Sequence, residues 1–349
     1  MPIWWSPEVT VRIDARLSYA SLTEIPEIAR TAERLGFDGL WTSETNHDPF
    51  LGAALAAEHS TRITIGTSIA LAFTRSPTTL AYTAWDLAQL SGGRFVLGLG
   101  TQVKAHIARR FGMPWDPPVP KLREVVAAIR EVWSAWRERR PLNFRGTYFT
   151  LSLMSPFFTP PGEPPSGLRI DVAGVGARMC RLAGEIADGF HVHPFHTRRY
   201  LREVVAPQVA AGLARSGRAR DAFVISASVF VATGTPDEVA GGLEEIRRQV
   251  AFYASTPTYR PVLDLHGWSD AGEQLSRLAA RGLWHEMPAL VTDDMLEACA
   301  IWGPPDTVAA RLRDEYGGPV DRLGFYEALV PGQRADVWRA LLDGLRAAG

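Results

Sequence analysis

Eight short runs rich in aliphatic and β-branched residues recur along the chain, at 11–17, 39–44, 64–72, 94–100, 169–175, 189–195, 224–233 and 322–329, with helical patterns between them. This alternation is what most limits the fold, because strands that take turns with helices build parallel βα units. Several of the runs are apolar over consecutive residues, as expected of strands covered on both faces. Eight such units fit a closed (β/α)8 barrel, a TIM barrel, and a chain of 349 residues can close one as a single domain over 1–349.

The helices are legible too. Residues 22, 25, 28, 29, 32 and 35 put apolar side chains on one face, and Gly36 stands where a C-terminal cap belongs. Pro77 opens a helix reaching Leu90, which Gly92 and Gly93 close, and Thr235-Pro236-Asp237-Glu238 opens another. Three segments exceed a minimal barrel: 102–118, then 141–165 with a hairpin-like 143–153, and 255–303. Long insertions on barrels shape the mouth of the site.

Composition excludes several classes. A net charge of −1 gives no general attraction to nucleic acid or anionic membrane. No apolar run approaches membrane-spanning length. The two cysteines, Cys180 and Cys299, are too few for a disulfide framework and read as buried thiols of a reducing compartment. The opening MPIWWSPEV lacks the charged and apolar regions of a signal peptide, so a cytoplasmic protein is expected.

In a barrel the chemistry sits at the C-terminal ends of the strands. Glu44 and His47 are the titratable candidates there, either as an acid–base pair or as a hydrogen-bonded pair at the rim. Asp48-Pro49 suits a helix cap. Gly174, Val175 and Gly176 join a strand to a helix, where free N–H groups suit a phosphate or the turn is simply tight. Gly98 and Gly100 either admit a ring or phosphate against the backbone or mark a bulge. His191 and His193 could be metal ligands, but no carboxylate cluster accompanies them, so they read as pocket residues and no metal is expected. Trp41, Phe50, Phe73, Trp115, Phe157 and Phe158 are candidate pocket aromatics.

The stretch FTRSPTTLAYTAWDLAQLSGGRFVLGLG (73–100) resembles the bacterial luciferase-like superfamily, with its Arg-x-Pro, Ser-Gly-Gly-Arg and Gly-x-Gly elements. The likeness extends through AERLGFDGLWTSE, NFRGTYF and AGEIADGFHVHPF. Within the superfamily, ETNHDPF and LGLGTQVKAHIARRFGMPW are similar to the coenzyme F420-dependent oxidoreductases. The resemblance implies a flavin-like ring at the strand ends, resting on a non-prolyl cis peptide at Ser68–Ile69. It implies that Thr101 and Gln102 touch the cofactor beside Gly98 and Gly100, and that the protein is a homodimer. One departure stands out: many relatives carry adjacent Asp-His where this chain has Glu44-Thr45-Asn46-His47.

The reading is therefore an F420-dependent oxidoreductase acting on a small organic molecule, with Glu44 and His47 handling the proton and the cofactor supplying the hydride chemistry. Lys104, Arg109 and Arg110 could meet the acidic F420 tail or simply face solvent. Two alternatives stand: a reduced-FMN monooxygenase on the same barrel, and a barrel that binds cofactor without turnover.

Overall fold

In the computed structural model, which describes residues 11–347, all eight anticipated strands form. The signal-peptide argument rests on residues 1–9, which lie outside the described residues. In chain order the strands are β1 (Arg12–Arg16), β2 (Gly39–Thr42), β3 (Thr64–Thr67), β4 (Ala70–Leu71), β5 (Phe95–Gly100), β6 (Phe144–Arg145), β7 (Thr150–Leu151), β8 (Arg169–Gly174), β9 (Gly189–Val192), β10 (Val224–Thr233), β11 (Ala300–Gly303) and β12 (Arg322–Ala328). The parallel order β1-β2-β3-β5-β8-β9-β10-β12 returns to β1, so the sheet closes as a TIM barrel. β11 pairs in parallel with the C-terminal extension of β10, Phe230–Thr233, an extra strand contributed by the 255–303 insertion.

Local chemistry explains the helices around the barrel. Gly36 takes the left-handed conformation (φ 94°) that ends α1 (Ile25–Leu35). Asp48 caps α2 (Pro49–Glu58), its carboxylate accepting the Phe50 N–H at 2.8 Å, which is the structural part the sequence suggests for it. Ser76 caps α3 (Pro77–Leu90). The 102–118 loop carries a short helix, α4 (Lys104–Arg109), before α5 (Pro118–Glu138). The hairpin is antiparallel β6–β7, and the Glu124 carboxylate of α5 gathers the N–H groups of Thr147, Tyr148 and Phe149 at 2.6–2.9 Å.

Alternation along each strand divides its side chains between two environments. Ile13, Leu40, Phe190 and Ile225 are buried in the apolar core. Asp14, Trp41, His191 and Ser226, each next to one of these, face the barrel interior and the cavity there. The interior is charged. Arg322 donates twice to Asp14, Nε to Oδ2 at 2.8 Å and Nη2 to Oδ1 at 2.6 Å, with both side chains under 5% exposed. Asp171 lies close by and accepts from Arg169 Nη2 at 3.3 Å.

Candidate active site

A cavity of about 240 Å³ opens at the C-terminal ends of the strands. Of the anticipated site residues, Glu44, Ser68, Ile69 and Gln102 line it. His47, Gly98, Gly100, Thr101, Gly174, Val175 and Gly176 are not among its lining residues. Of the six anticipated aromatics, Trp41 alone forms part of the wall, while Phe157 and Phe158 are exposed. Tyr253, Phe325 and Tyr326 supply the other aromatic rings.

The Ser68–Ile69 peptide is cis. It interrupts the anticipated strand 64–72, leaving β3 and β4 on either side and turning both residues to the cavity. Glu44 secures this segment from the loop that follows β2. Its N–H donates to the Ile69 carbonyl at 3.1 Å, and Oε2 accepts the Leu71 N–H at 2.8 Å. Arg75 Nη1 reaches both Glu44 oxygens at 2.9 and 2.8 Å, while Nη2 reaches Asp48 Oδ2 at 2.7 Å. A carboxylate accepting from a guanidinium and a backbone N–H is held in one orientation. His47 instead stacks on Tyr19, with ring centroids 4.6 Å apart. The pair suggested by sequence is thus divided: Glu44 belongs to an arginine clamp and His47 to an aromatic stack.

Packing within the barrel accounts for both glycines of β5. A Cβ on Gly98 would collide with the Thr67 carbonyl oxygen and lie 3.1 Å from His191 Nε2. One on Gly100 would meet the Ile69 side chain. The chain needs these glycines so that β5 can approach the cis segment and His191. Gln102 follows in the left-handed region (φ 55°), its Oε1 accepting the Val103 N–H at 3.0 Å. The 102–118 loop returns over the site: Arg110 donates to the Thr45 carbonyl, and Lys121, which pairs with Asp116 at 2.7 Å, lies against the Phe73 ring, itself packed edge-on to Trp115.

At the start of α6 (Ala177–Ile186), Gly176 is the N-cap and contributes no capping side chain. A Cβ there would meet nothing within 4 Å, whereas one on Gly174 would collide with Met179. The open helix end can therefore take an anion on its free N–H groups. Gly176→Val is expected to fold normally and weaken binding of a phosphate-bearing cofactor tenfold or more. Gly174→Val is expected to lose stability through Met179. Thermal unfolding and cofactor titration of both variants check this, and unchanged affinity in Gly176→Val would make the turn merely structural.

The histidines of β9 and its loop are neutral. Burial depresses His191 and His193 to about 3. The Phe195 N–H donates to His193 Nδ1 at 3.1 Å, so Nε2 carries the proton and donates to Tyr259 Oη at 3.0 Å. Among the described residues no group of three or more His, Cys, Asp or Glu is arranged to hold a metal.

The family model for luciferase-like monooxygenases matches residues 8–322. The chain belongs to this family. An uncharacterized protein of Mycobacterium tuberculosis is 48% identical over 303 residues, 86% of this chain and 89% of that one. The 5,10-methylenetetrahydromethanopterin reductase of Archaeoglobus fulgidus is 28% identical over 298 residues, 83% of this chain and 85% of its own. Among solved structures, the coenzyme F420-dependent tetrahydromethanopterin reductase of Methanopyrus kandleri shares the fold at TM-score 0.75 and 24% identity, covering 97% of both chains. EDTA monooxygenase from a Chelativorans species reaches the same TM-score at 19% identity, covering 97% and 94%.

Both reductases and monooxygenases are therefore found on this luciferase-like barrel. The residues present suit a flat, polar-edged ring with a phosphate-bearing tail. The cavity has aromatic walls, the cis segment lines one side, and an open helix end stands at the same barrel end. Sequence reasoning missed Arg16, Arg75, Asp171, Ser226, Tyr253, Tyr326 and Arg322. For Ser226 a signal existed: in VISASVFVAT the two serines fall at alternate positions of an apolar strand, which marks an inward polar face.

Proposed function

We propose that this chain is a coenzyme F420-dependent oxidoreductase that moves a hydride between the deazaflavin ring and a small organic substrate. One conjunction carries the reading: an aromatic-walled cavity stands at the strand ends, and the open N-terminus of α6 follows β8 at the same end of the barrel. The reductases among its relatives and structural neighbours support hydride chemistry. Lys104 and Arg109 are exposed on α4, and Arg110 is exposed just beyond, a basic rim suited to an acidic tail.

When bound, the deazaflavin supplies the carbon that gives or takes the hydride. The chain orients the ring, excludes water and manages the proton. Ser68 and Ile69 support the ring from one side. Glu44 is a positioning residue here, since both its oxygens accept hydrogen bonds and its N–H fixes Ile69. His47 has no hydrogen-bond partner among the described residues and remains the proton-transfer candidate. Gly98, Gly100, Thr101, Gln102, Gly174, Val175 and Gly176 form the surrounding cofactor cradle in this proposal. The proposal also includes a cytoplasmic homodimer, whose subunit number light scattering of the purified chain decides.

The second reading, a reduced-FMN monooxygenase, is favoured by the equal structural likeness to EDTA monooxygenase. Titration with F420 and with FMN, followed by fluorescence quenching, separates the two. F420 is expected to bind at least tenfold more tightly. Tighter FMN binding, with oxygen consumed when the flavin is reduced, would replace the proposal with the monooxygenase.

A further inference from the structure

Beneath the cavity the neutral His191 lies beside Asp171 in an arrangement that the proton handling above does not use. His191 is 5% exposed and Asp171 is 1% exposed, and the two sit on adjacent strands, β9 and β8. His191 Nε2 is sealed from solvent, has no hydrogen-bond partner, and faces Asp171 Oδ2 at 3.7 Å. The absent side chain of Gly98 leaves room for that edge of the ring. Trp41 holds the imidazole edge-on, with centroids 4.8 Å apart. His191 nonetheless lines the cavity, and among the described residues its Nδ1 has no partner either. Across the β9–β10 ladder its register partner is Ser226, whose buried Oγ is likewise unpartnered and whose residue lines the same cavity. Buried polar atoms without partners are uncommon, and Ser226 Oγ beside the unpartnered Nδ1 of His191 points to a polar ligand.

We propose that Asp171 and His191 form a dyad in the cavity floor: the Asp171 carboxylate, facing Nε2 at 3.7 Å, keeps the proton on that nitrogen by its charge, and Nδ1 is presented to the cavity as an acceptor for an O–H or N–H donor of the bound ligand. The logic is that of a carboxylate fixing a histidine tautomer so that the other nitrogen meets the ligand. A neutral imidazole with one N–H can accept at only one nitrogen, so fixing the tautomer fixes what the floor recognises. A ligand carrying a hydroxyl or a ring N–H is satisfied there, and one offering only acceptors leaves the lone pair unpaired. Asp171 is the positioning residue of the dyad and His191 the recognising one. The ligand half rests on the oxidoreductase reading; the pairing of Asp171 with His191 does not.

The test uses the full chain labelled with 15N-histidine, with two-bond proton–nitrogen correlations at pH 7 and His191→Gln to assign the signals. The ligand-free protein is expected to show His191 protonated at Nε2 and bare at Nδ1, and Asp171→Asn is expected to mix or invert the tautomers. Protonation at Nδ1 in the parent chain would overturn the dyad. The probes are then F420, FMN, and 2-propanol added to the cofactor-loaded protein. An upfield move of Nδ1 on cofactor alone makes the ring N–H the donor, while a move only on adding the alcohol makes it a substrate hydroxyl; either supports the proposal. Bound cofactor and alcohol that leave Nδ1 unmoved would sink the ligand half. If neither cofactor binds, the proposed function and the ligand half fall together, while the tautomer still decides the pairing. His191→Phe is expected to weaken binding of whichever donor is identified about fivefold to tenfold, with His191→Gln recovering part of it through its amide oxygen.

Discussion

Replacing Arg322 by methionine is expected to destabilise the folded chain by about 3–5 kcal/mol, far more than loss of an exposed ion pair. The guanidinium makes two short hydrogen bonds to Asp14 inside the barrel and also lies over the Trp41 ring at 5.5 Å. Removing it leaves a buried carboxylate without its counter-charge, and Asp171 is close enough to share the cost. The double variant Asp14→Leu/Arg322→Met, which removes both charges, is expected to recover most of the loss, because an apolar pair of similar volume needs no desolvation of ions. Urea unfolding of the parent, both single variants and the double variant supplies a complete cycle. Singles that cost under about 1 kcal/mol would mean the pair behaves as a solvated one.

Acid is expected to weaken the fold well before the carboxylates as a class become protonated. Burial depresses His191 to about 3 and His196 to about 4, both below the ordinary histidine value of 6.5. The unfolded chain therefore takes up protons at these histidines below about pH 6.5 while the folded chain does not, so stability is fully present above that pH and falls as pH drops. Between pH 7 and pH 5 each buried histidine contributes a loss of roughly 2 kcal/mol. His193 adds less, being partly open to the cavity. Asp171 acts in the opposite sense. Burial raises it to about 6 from an ordinary 3.8, so its contribution improves as pH falls through 6 and offsets roughly 1–2 kcal/mol. The net expectation is a loss of roughly 3 kcal/mol at pH 5. Urea midpoints at pH 7, 6 and 5 measure it, and a flat profile would show that these histidines protonate freely in the folded state.

The barrel was legible because its signal is periodic and local. Every anticipated strand formed, since β-branched runs bounded by helix caps and glycines leave few alternatives for chain direction. Strand ends were read too long where the backbone turns at the mouth of the cavity. The run 64–72 breaks at the cis segment, and 39–44 ends as a strand at Thr42, so that Glu44 lies beyond it in the loop. Of the residues singled out in the sequence, Glu44, Ser68, Ile69, Gln102, His191 and His193 line the cavity while the glycines and His47 do not, and the partners of these side chains were not legible at all. Nothing local in FTRSP says that Arg75 will hold Glu44, because the contact spans 31 residues and depends on how two strand ends meet. Gly98 illustrates the converse: its sequence context says that something comes close, while only the closed barrel shows that the neighbour is the Thr67 carbonyl and the His191 ring.

The Asp14–Arg322 pair joins residues 308 positions apart, on the first and last strands of the ring. On a ribosome adding about 5–20 residues per second, the carboxylate emerges tens of seconds before its guanidinium. Until then β1 lacks its β12 neighbour and carries an unmatched charge toward the interior. The growing chain is thus held as an open, unfinished sheet, and closure of the ring, neutralisation of its interior and completion of the cavity become a single late event of synthesis.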